Sequence, residues 1–314
     1  MLFASAERHG LSGVVLDAWR AQGLPLPPDL ARSLDTLSVA RALDHDAHVA
    51  LLKRIDVRFA AASLPAVALK GPLFAERFYP RPSTRATSDI DLLVRPGDLD
   101  RAATVLASLG FVGTDGAQES RQRREHHHLH FSHPDALPLE LHFHGYSAFG
   151  RILPSEPLLS CRRDAHFAGL STVGVLAPED ELVFLAVHAG AHRFLRLGWL
   201  YDLALLAHTM SETELREAAE RARAWGFNRI LSFAASLLVD VLGAPSERLA
   251  PLGEPGAVRR AVARRTVGEP HNPVLRSATR FLFTVTLCDD ARAAARYAFR
   301  ASGSHARRIL SSER

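Results

Sequence analysis

The chain of 314 residues holds few cysteines, few lysines and no long apolar run. Cys161 and Cys288 lie too far apart to form a metal knuckle and are too few for a disulfide framework, so a reduced, cytoplasmic protein is expected. No stretch approaches the ~18 consecutive apolar residues of a membrane-spanning helix. The opening MLFASAERHG lacks the basic-then-apolar layout of a signal peptide. Of the 38 basic residues only Lys53 and Lys70 are lysines. In a chain that otherwise uses arginine, a lysine is a departure; Lys53 sits in an apparent helix, and Lys70 in the most informative stretch. What is present is ordinary globular composition, 47% hydrophobic and 23% charged, which excludes disorder, collagen-like repeats and coiled-coil rods. The net charge of +4 is weak evidence for a polyanionic partner, and it is unevenly spread. Residues 255–314 carry twelve arginines against four carboxylates, a net of +8, which leaves −4 for residues 1–254.

Residues 11–62 read as helical, most clearly from Ser38 to Ala62, where Val39, Leu43, Ala47, Leu51, Ile55 and Phe59 recur at four-residue steps. Ala66 to Leu69 suits a short strand, closed by the turn Lys70-Gly71, with Pro72 opening a helix that ends near Tyr79-Pro80. A loop follows to Ser88, then a strand at Asp89 to Val94 (DIDLLV) and a helix from Leu99 to Leu109. His126 to Ser132 and Pro138 to His144 read as two strands joined by His133-Pro134-Asp135. From Pro178 the chain is mostly helical, punctuated near Gly243 to Gly256 and Pro270 to Pro273. The expected class is α+β: a small mixed sheet core at 63–150, an N-terminal helical cap at 1–62 and a helical domain at 151–314.

Side chains alternate faces along a strand, so Asp89 and Asp91 share one face while Ile90 and Leu92 take the other. Carboxylates ~7 Å apart along a strand repel unless something cationic lies between them. The usual answer is a divalent ion, and hard oxygen donors favour Mg²⁺ or Mn²⁺. Alone, a D-x-D triplet is more often a solvated strand end; here the apolar Leu92-Leu93-Val94 anchors it on a buried strand. The later strand supplies a third acid, because Leu139, Leu141 and Phe143 form one face and Glu140, His142 and His144 the other. Glu140 would meet the aspartates if the two strands are neighbours. Upstream, the strand–turn–helix at Lys70-Gly71 can hold phosphates through backbone N–H groups and the lysine. Arg81 and Arg85 in the following loop could neutralise a leaving pyrophosphate. Together these form a phosphoryl-transfer constellation.

Lys70-Gly71, Tyr79, Arg85, Asp89 to Val94, Leu109-Gly110-Phe111 and Glu140-Leu141-His142 resemble the uncharacterised nucleotidyltransferase family within the polymerase β-like nucleotidyltransferase superfamily. The resemblance is strong over about 64–144 and extends weakly through His188, His192 and Trp199 to Asp202. It implies that a glycine turn, here Gly71, contacts nucleotide phosphates, that Asp89 and Asp91 bind metal, and that Glu140 activates the acceptor. The superfamily turn is usually Gly-Ser or Gly-Gly and sits nearer the D-x-D. Here it is Lys70-Gly71-Pro72, with Lys70 the candidate to replace the serine hydroxyl. The expected nucleotide-binding set is Lys70, Gly71, Arg85 and Ser88, and the expected metal set Asp89, Asp91 and Glu140.

Sixteen histidines invite a metal reading. His126, His128 and His130 share one strand face and have a spacing that could bind Zn²⁺, but no paired cysteines accompany them. The favoured role is to line the cleft with Glu140 and contact phosphate or acceptor, or to sit on a solvated sheet face. His128, His130, His142, His188 and His192 are accordingly candidate substrate contacts. His188 and His192 share a helix face, but Ala189 stands where a zinc protease needs its glutamate. Asp202 reads as structural first. Arg292, Arg296 and Arg300 form a basic stripe that could meet a polyanion, though the ordinary fate of such stripes is solvation.

Three functions follow. The first is a Mg²⁺- or Mn²⁺-dependent nucleotidyltransferase that moves a nucleoside monophosphate from an NTP, ATP included, to an unidentified hydroxyl or phosphate acceptor. That acceptor is a small molecule, peptide, glycan or RNA, and pyrophosphate is released. The second is a D-x-D glycosyltransferase using a nucleotide sugar, which would need a longer nucleotide-binding region. The third is a non-catalytic nucleotide- or partner-binding module.

Overall fold

The computed structural model describes residues 2–267 and 273–312. Among the described residues eight strands form: β1 (Ala66–Ala68), β2 (Ile90–Leu93), β3 (Val112–Gly113), β4 (His128–His133), β5 (Ala136–His142), β6 (Tyr146–Ala148), β7 (Arg151–Leu153) and β8 (Val173–Val175). Six build one mixed sheet in the order β3-β4-β5-β2-β1-β8, flanked by helices, so the α+β class holds. β2 runs parallel to β5 and β1 parallel to β8; the remaining neighbours are antiparallel. The chain divides into two compact units. The first comprises Met1–Gly145, Pro154–Ala177 and Arg196–Gly198 and contains the whole sheet; the second comprises Tyr146–Leu153, Pro178–Leu195 and Trp199–Arg314. Among the described residues, no helix is long and apolar enough to cross a membrane.

One face of the sheet is the core of the first unit. Ile90 and Leu92 of β2, Leu139 and Leu141 of β5, and Leu129 and Phe131 of β4 pack with Leu52, Ile55 and Phe59 of helix Pro28–Ala61 and Ala102 and Leu106 of helix Leu99–Ser108. The four-residue stripe of the long helix does not stay on that core. Leu51, Ile55 and Phe59 are buried, while Val39 and Leu43 are 61% and 65% exposed. At ~100° per residue each four-residue step drifts ~40°, so five steps carry a side chain to the opposite face. Asp56 fastens the same helix to the sheet: its carboxylate accepts bonds from the backbone N–H of Ser171, Thr172 and Val173 and from the Ser171 hydroxyl. That seats β8 beside β1.

Between β3 and β4 the polar stretch forms a helix, Gly116–Glu125, capped by the Asp115 carboxylate accepting from Gln118 N–H at 2.8 Å. It buries only Gln122, so it has no apolar period to betray it, and i,i+4 pairs such as Arg123–Glu119 support it. Its end captures His126 as the C-cap residue, which removes His126 from the strand face expected for it beside His128 and His130. Pro270, expected as punctuation, lies outside the described residues. In the second unit the stripe arginines Arg292, Arg296 and Arg300 are exposed on helix Ala291–Ser312, and Arg296 Nε donates to the Gly150 carbonyl at 2.9 Å.

Candidate active site

The other face of the sheet is polar, and pairing register assembles it. Asp91 on β2 stands directly opposite Glu140 on β5, which stands opposite His130 on β4. One row along, Leu93 faces His142, which faces His128. Residues in register across a sheet share a face at ~4.8 Å strand spacing, so two acids, Asp91 and Glu140, and three imidazole rings, His128, His130 and His142, converge without any loop. Asp89 precedes β2 on the same face. The amide of Leu69 donates to the Asp91 carbonyl at 3.1 Å, which carries β1 to its end opposite the aspartates and delivers Lys70 to them.

Lys70 fills the gap between the two aspartates. Its Nζ lies 2.5 Å from Asp91 Oδ2 and 2.9 Å from Asp89 Oδ1, and the Ser88 hydroxyl adds a bond of 3.2 Å to Asp89 Oδ1. Asp91 is 1% exposed. Burial alone would raise its carboxyl, but the Lys70 charge and the His142 ring hold it far below the usual carboxylate range. Burial would likewise depress the Lys70 ammonium, yet Asp91 and Asp89 push it up to about 12. The sequence predicts a cation between the carboxylates; the first such cation in place is the chain's own lysine.

His142 plays the matching part between Asp91 and Glu140. Its Nε2–H donates to Asp91 Oδ1 at 3.1 Å and stands 3.5 Å from Glu140 Oε2. Against the burial that disfavours charge, the two carboxylates push the ring up to about 9, so it is protonated at neutral pH. For Glu140, burial and Asp91 favour the neutral acid, but the bond and charge of His142 prevail and keep the carboxyl low. His128 goes the other way: burial first, then the His142 charge, push it down to about 3, so it is neutral. His127, buried and beside His142, is held lower still by the same causes. Alternation from His126 sets His127 on the face opposite His128 and His130, yet β4 begins only at His128, so His127 lies ahead of the strand and outside its alternation.

The turn at Gly71 has φ +82° and ψ −139°, a backbone that L side chains rarely adopt, and it starts helix Pro72–Phe78. A Cβ there would lie 3.6 Å from the Asp89 carbonyl, so strain rather than crowding calls for glycine. Arg85 stacks on Phe74, its guanidinium carbon 5.5 Å from the ring centre, and donates to the Thr87 hydroxyl at 3.4 Å. Arg81, the other loop cation, pairs with Asp17 of helix Ser12–Ala21. Of the nucleotide-binding candidates, the structure therefore brings Lys70, Gly71 and Ser88 to the aspartates. His188 and His192 belong to the second unit, where they pack with Trp199, and the Tyr146 hydroxyl lies 3.2 Å from His192 Nε2. Asp202 is buried in the same unit.

Among the described residues three overlapping sets present donor atoms close enough to hold one ion: Asp91, Glu140 and His142; His128, His130 and Glu140; and His127, His128 and His142. With Asp89 27% exposed at its side chain beside them, the oxygen donors fit a hard divalent ion, with Lys70 as the group it would meet there.

A family model described as uncharacterised nucleotidyltransferase matches residues 1–243. Among solved structures, the solution structure of the antibiotic-resistance factor ANT(2'')-Ia is similar at 15% identity, over 57% of this chain and 94% of that chain, with a TM-score of 0.42. No curated protein matches the chain. On the match over residues 1–243, the chain belongs to the uncharacterised nucleotidyltransferase family.

Proposed function

We propose that the chain is a divalent-metal-dependent enzyme that transfers a nucleoside monophosphate from an NTP to a hydroxyl or phosphate acceptor and releases pyrophosphate. The observation that carries this reading is the in-register placement of Asp91 against Glu140, with Asp89 and Lys70 at the same strand ends. Asp89, Asp91 and Glu140 would hold an ion of the Mg²⁺ or Mn²⁺ class. Bound there, such an ion would neutralise phosphate charge as the leaving group departs.

The chain's own residues carry the remaining work. Glu140, kept ionised by His142, takes the proton of the acceptor hydroxyl on a carboxylate oxygen. Lys70 is a partly buried ammonium, its pKa pushed up to about 12, on a rotatable stem; it balances the aspartates in the resting site and turns to the phosphates of a bound nucleotide. The backbone at Gly71, on the threshold of a helix, offers N–H groups to those phosphates. His142 ties Asp91 to Glu140 and fixes their separation. The reaction belongs in the reduced cytoplasm, where NTP is at hand, and the exposed arginine stripe at 292, 296 and 300 would recruit any polyanionic acceptor.

A second reading draws on Lys70 itself. A D-x-D already neutralised by an internal cation suits a nucleotide- or partner-binding module that needs no metal. Calorimetry separates the two. The enzyme reading expects NTP to bind with Mg²⁺ and to bind much more weakly in chelator, with an NDP-sugar failing to replace it. Metal-independent NTP binding without transfer favours the module.

A further inference from the structure

His128 and His130 meet ring to ring, with their Nε2 atoms 3.0 Å apart. Their Nδ1 atoms face the two oxygens of one carboxylate: His128 lies 3.6 Å from Glu140 Oε2 and His130 lies 3.5 Å from Oε1. A neutral imidazole carries one N–H and one lone pair. If both rings turn N–H toward Glu140, as its charge demands, two Nε2 lone pairs confront each other at 3.0 Å. If one ring moves its hydrogen to Nε2 to bridge the pair, its Nδ1 lone pair faces the carboxylate instead. No arrangement of two neutral rings satisfies all four nitrogens, whereas one positive charge set against the Nε2 pair does. The protein does not relieve the conflict: His128 is nine-tenths buried, and its Nδ1 has no hydrogen-bond partner among the described residues.

We propose that this charge is a divalent transition-metal ion of the Zn²⁺ class, ligated by Nε2 of His128 and Nε2 of His130, with Glu140 fixing both rings from behind. An ion ~2.1 Å from each Nε2 would see the pair at about 90°, the angle of neighbouring ligands in a six-coordinate shell, and ring movement of about 0.4 Å would open it to the tetrahedral angle. A carboxylate on the far nitrogen is the usual support of a metal-bound histidine, setting its tautomer and raising its basicity. Imidazole nitrogen selects Zn²⁺ and its neighbours over Mg²⁺. The side chain of His130 is 47% exposed, which gives the ion an entry path and leaves coordination positions for water or a substrate oxygen. The site is distinct in chemistry from the hard oxygen site at the aspartates, and Glu140 is the residue the two have in common.

Full-length protein stripped with chelator, then titrated with Co²⁺ in a large excess of Mg²⁺, tests this. One equivalent is expected to bind despite the Mg²⁺, giving visible d–d absorption that Zn²⁺ displaces. His128→Ala and His130→Ala should each weaken Co²⁺ binding about 100-fold or more, and Glu140→Gln about 10- to 100-fold. Asp89→Asn should leave it unchanged. Circular dichroism checks the fold of each variant, and the half-exposed His130→Gln stands in if His128→Ala does not fold. Three results overturn the proposal: no stoichiometric Co²⁺ binding, in which case the rings share a proton; binding that survives both histidine substitutions; or binding lost in Asp89→Asn, which would move the ion to the aspartates. The readout is independent of nucleotidyl transfer, so either the site or the transfer reading can fail without the other.

Discussion

Lys70 is the residue on which the electrostatics of the site turn. Asp91 is buried with Asp89 and Glu140 close by, and the Lys70 ammonium at 2.5 Å is what allows it to remain ionised there. Removing one partner of a buried pair leaves a charge without compensation, at a cost of about 3–5 kcal/mol. Lys70→Met should therefore lower stability by about 3 kcal/mol in metal-free buffer. Added Mg²⁺ or Mn²⁺ should restore part of the loss, read as a larger metal-induced rise in melting temperature than in the wild type. Equal metal responses in the two proteins would show that Lys70 and the ion do not share the aspartates.

His142 gives the site a pH signature of known sign. Its folded pKa, about 9, is raised above the ~6.5 of a free imidazole. The stability it contributes is full below ~6.5 and is lost as pH rises through about 9. Chelator-treated protein should lose stability toward alkaline pH across that window in urea melts, and His142→Gln should flatten the slope. An unchanged slope in the variant would assign the loss to another group.

At the scale of elements, Asp56 shows how a buried carboxylate places a strand. Burial would raise its carboxyl, but the bonds from Val173, Ser171 and Thr172 reverse that and lower it. The stability it supplies is present above the ~3.9 of an unfolded aspartate and is lost as pH falls through the lower folded value. Asp56→Ala should cost about 3 kcal/mol in urea unfolding. A loss below about 1 kcal/mol would mean that β8 is held by its ladder to β1 alone.

Elements differed in how far they could be read. β2 and β5 were legible because alternation and apolar anchoring agreed, and the same alternation put Glu140 on the face of the aspartates once the strands proved adjacent. Helix Gly116–Glu125 was not legible, since charge pairs and an Asp115 cap hold it and no apolar stripe exists to count. The long helix was legible as a helix, but its four-residue repeat outran its core because the period of an α-helix is shorter than four. The pairing of Lys70 with the aspartates left a trace only in composition, as a lysine in a chain of arginines. Alternation put His142 on the face of Glu140, but its bond to Asp91 was not legible, since one residue on a strand does not announce its cross-strand partners.

For the whole molecule, the distribution of charge matters more than its sum. The net +4 arises from residues 255–314, while residues 1–254, which include the sheet and its three acids, sum to −4. Within that acidic part the cations are placed one by one: Lys70 between Asp89 and Asp91, His142 between Asp91 and Glu140. A site balanced internally in this way is stable when empty and has charged groups free to regroup around a triphosphate, which is what a transferase with a changing ligand load requires.

Nucleotidyl transfer at Asp89, Asp91 and Glu140 can be followed by the fate of the α-phosphate. Incubating the protein with Mg²⁺, cell extract and each NTP labelled at the α-phosphate tests it most directly. Label should pass to an acceptor fraction with pyrophosphate appearing alongside, and both should stop in chelator and in the folded Asp89→Asn/Asp91→Asn double variant. Undiminished label transfer by that double variant would contradict it.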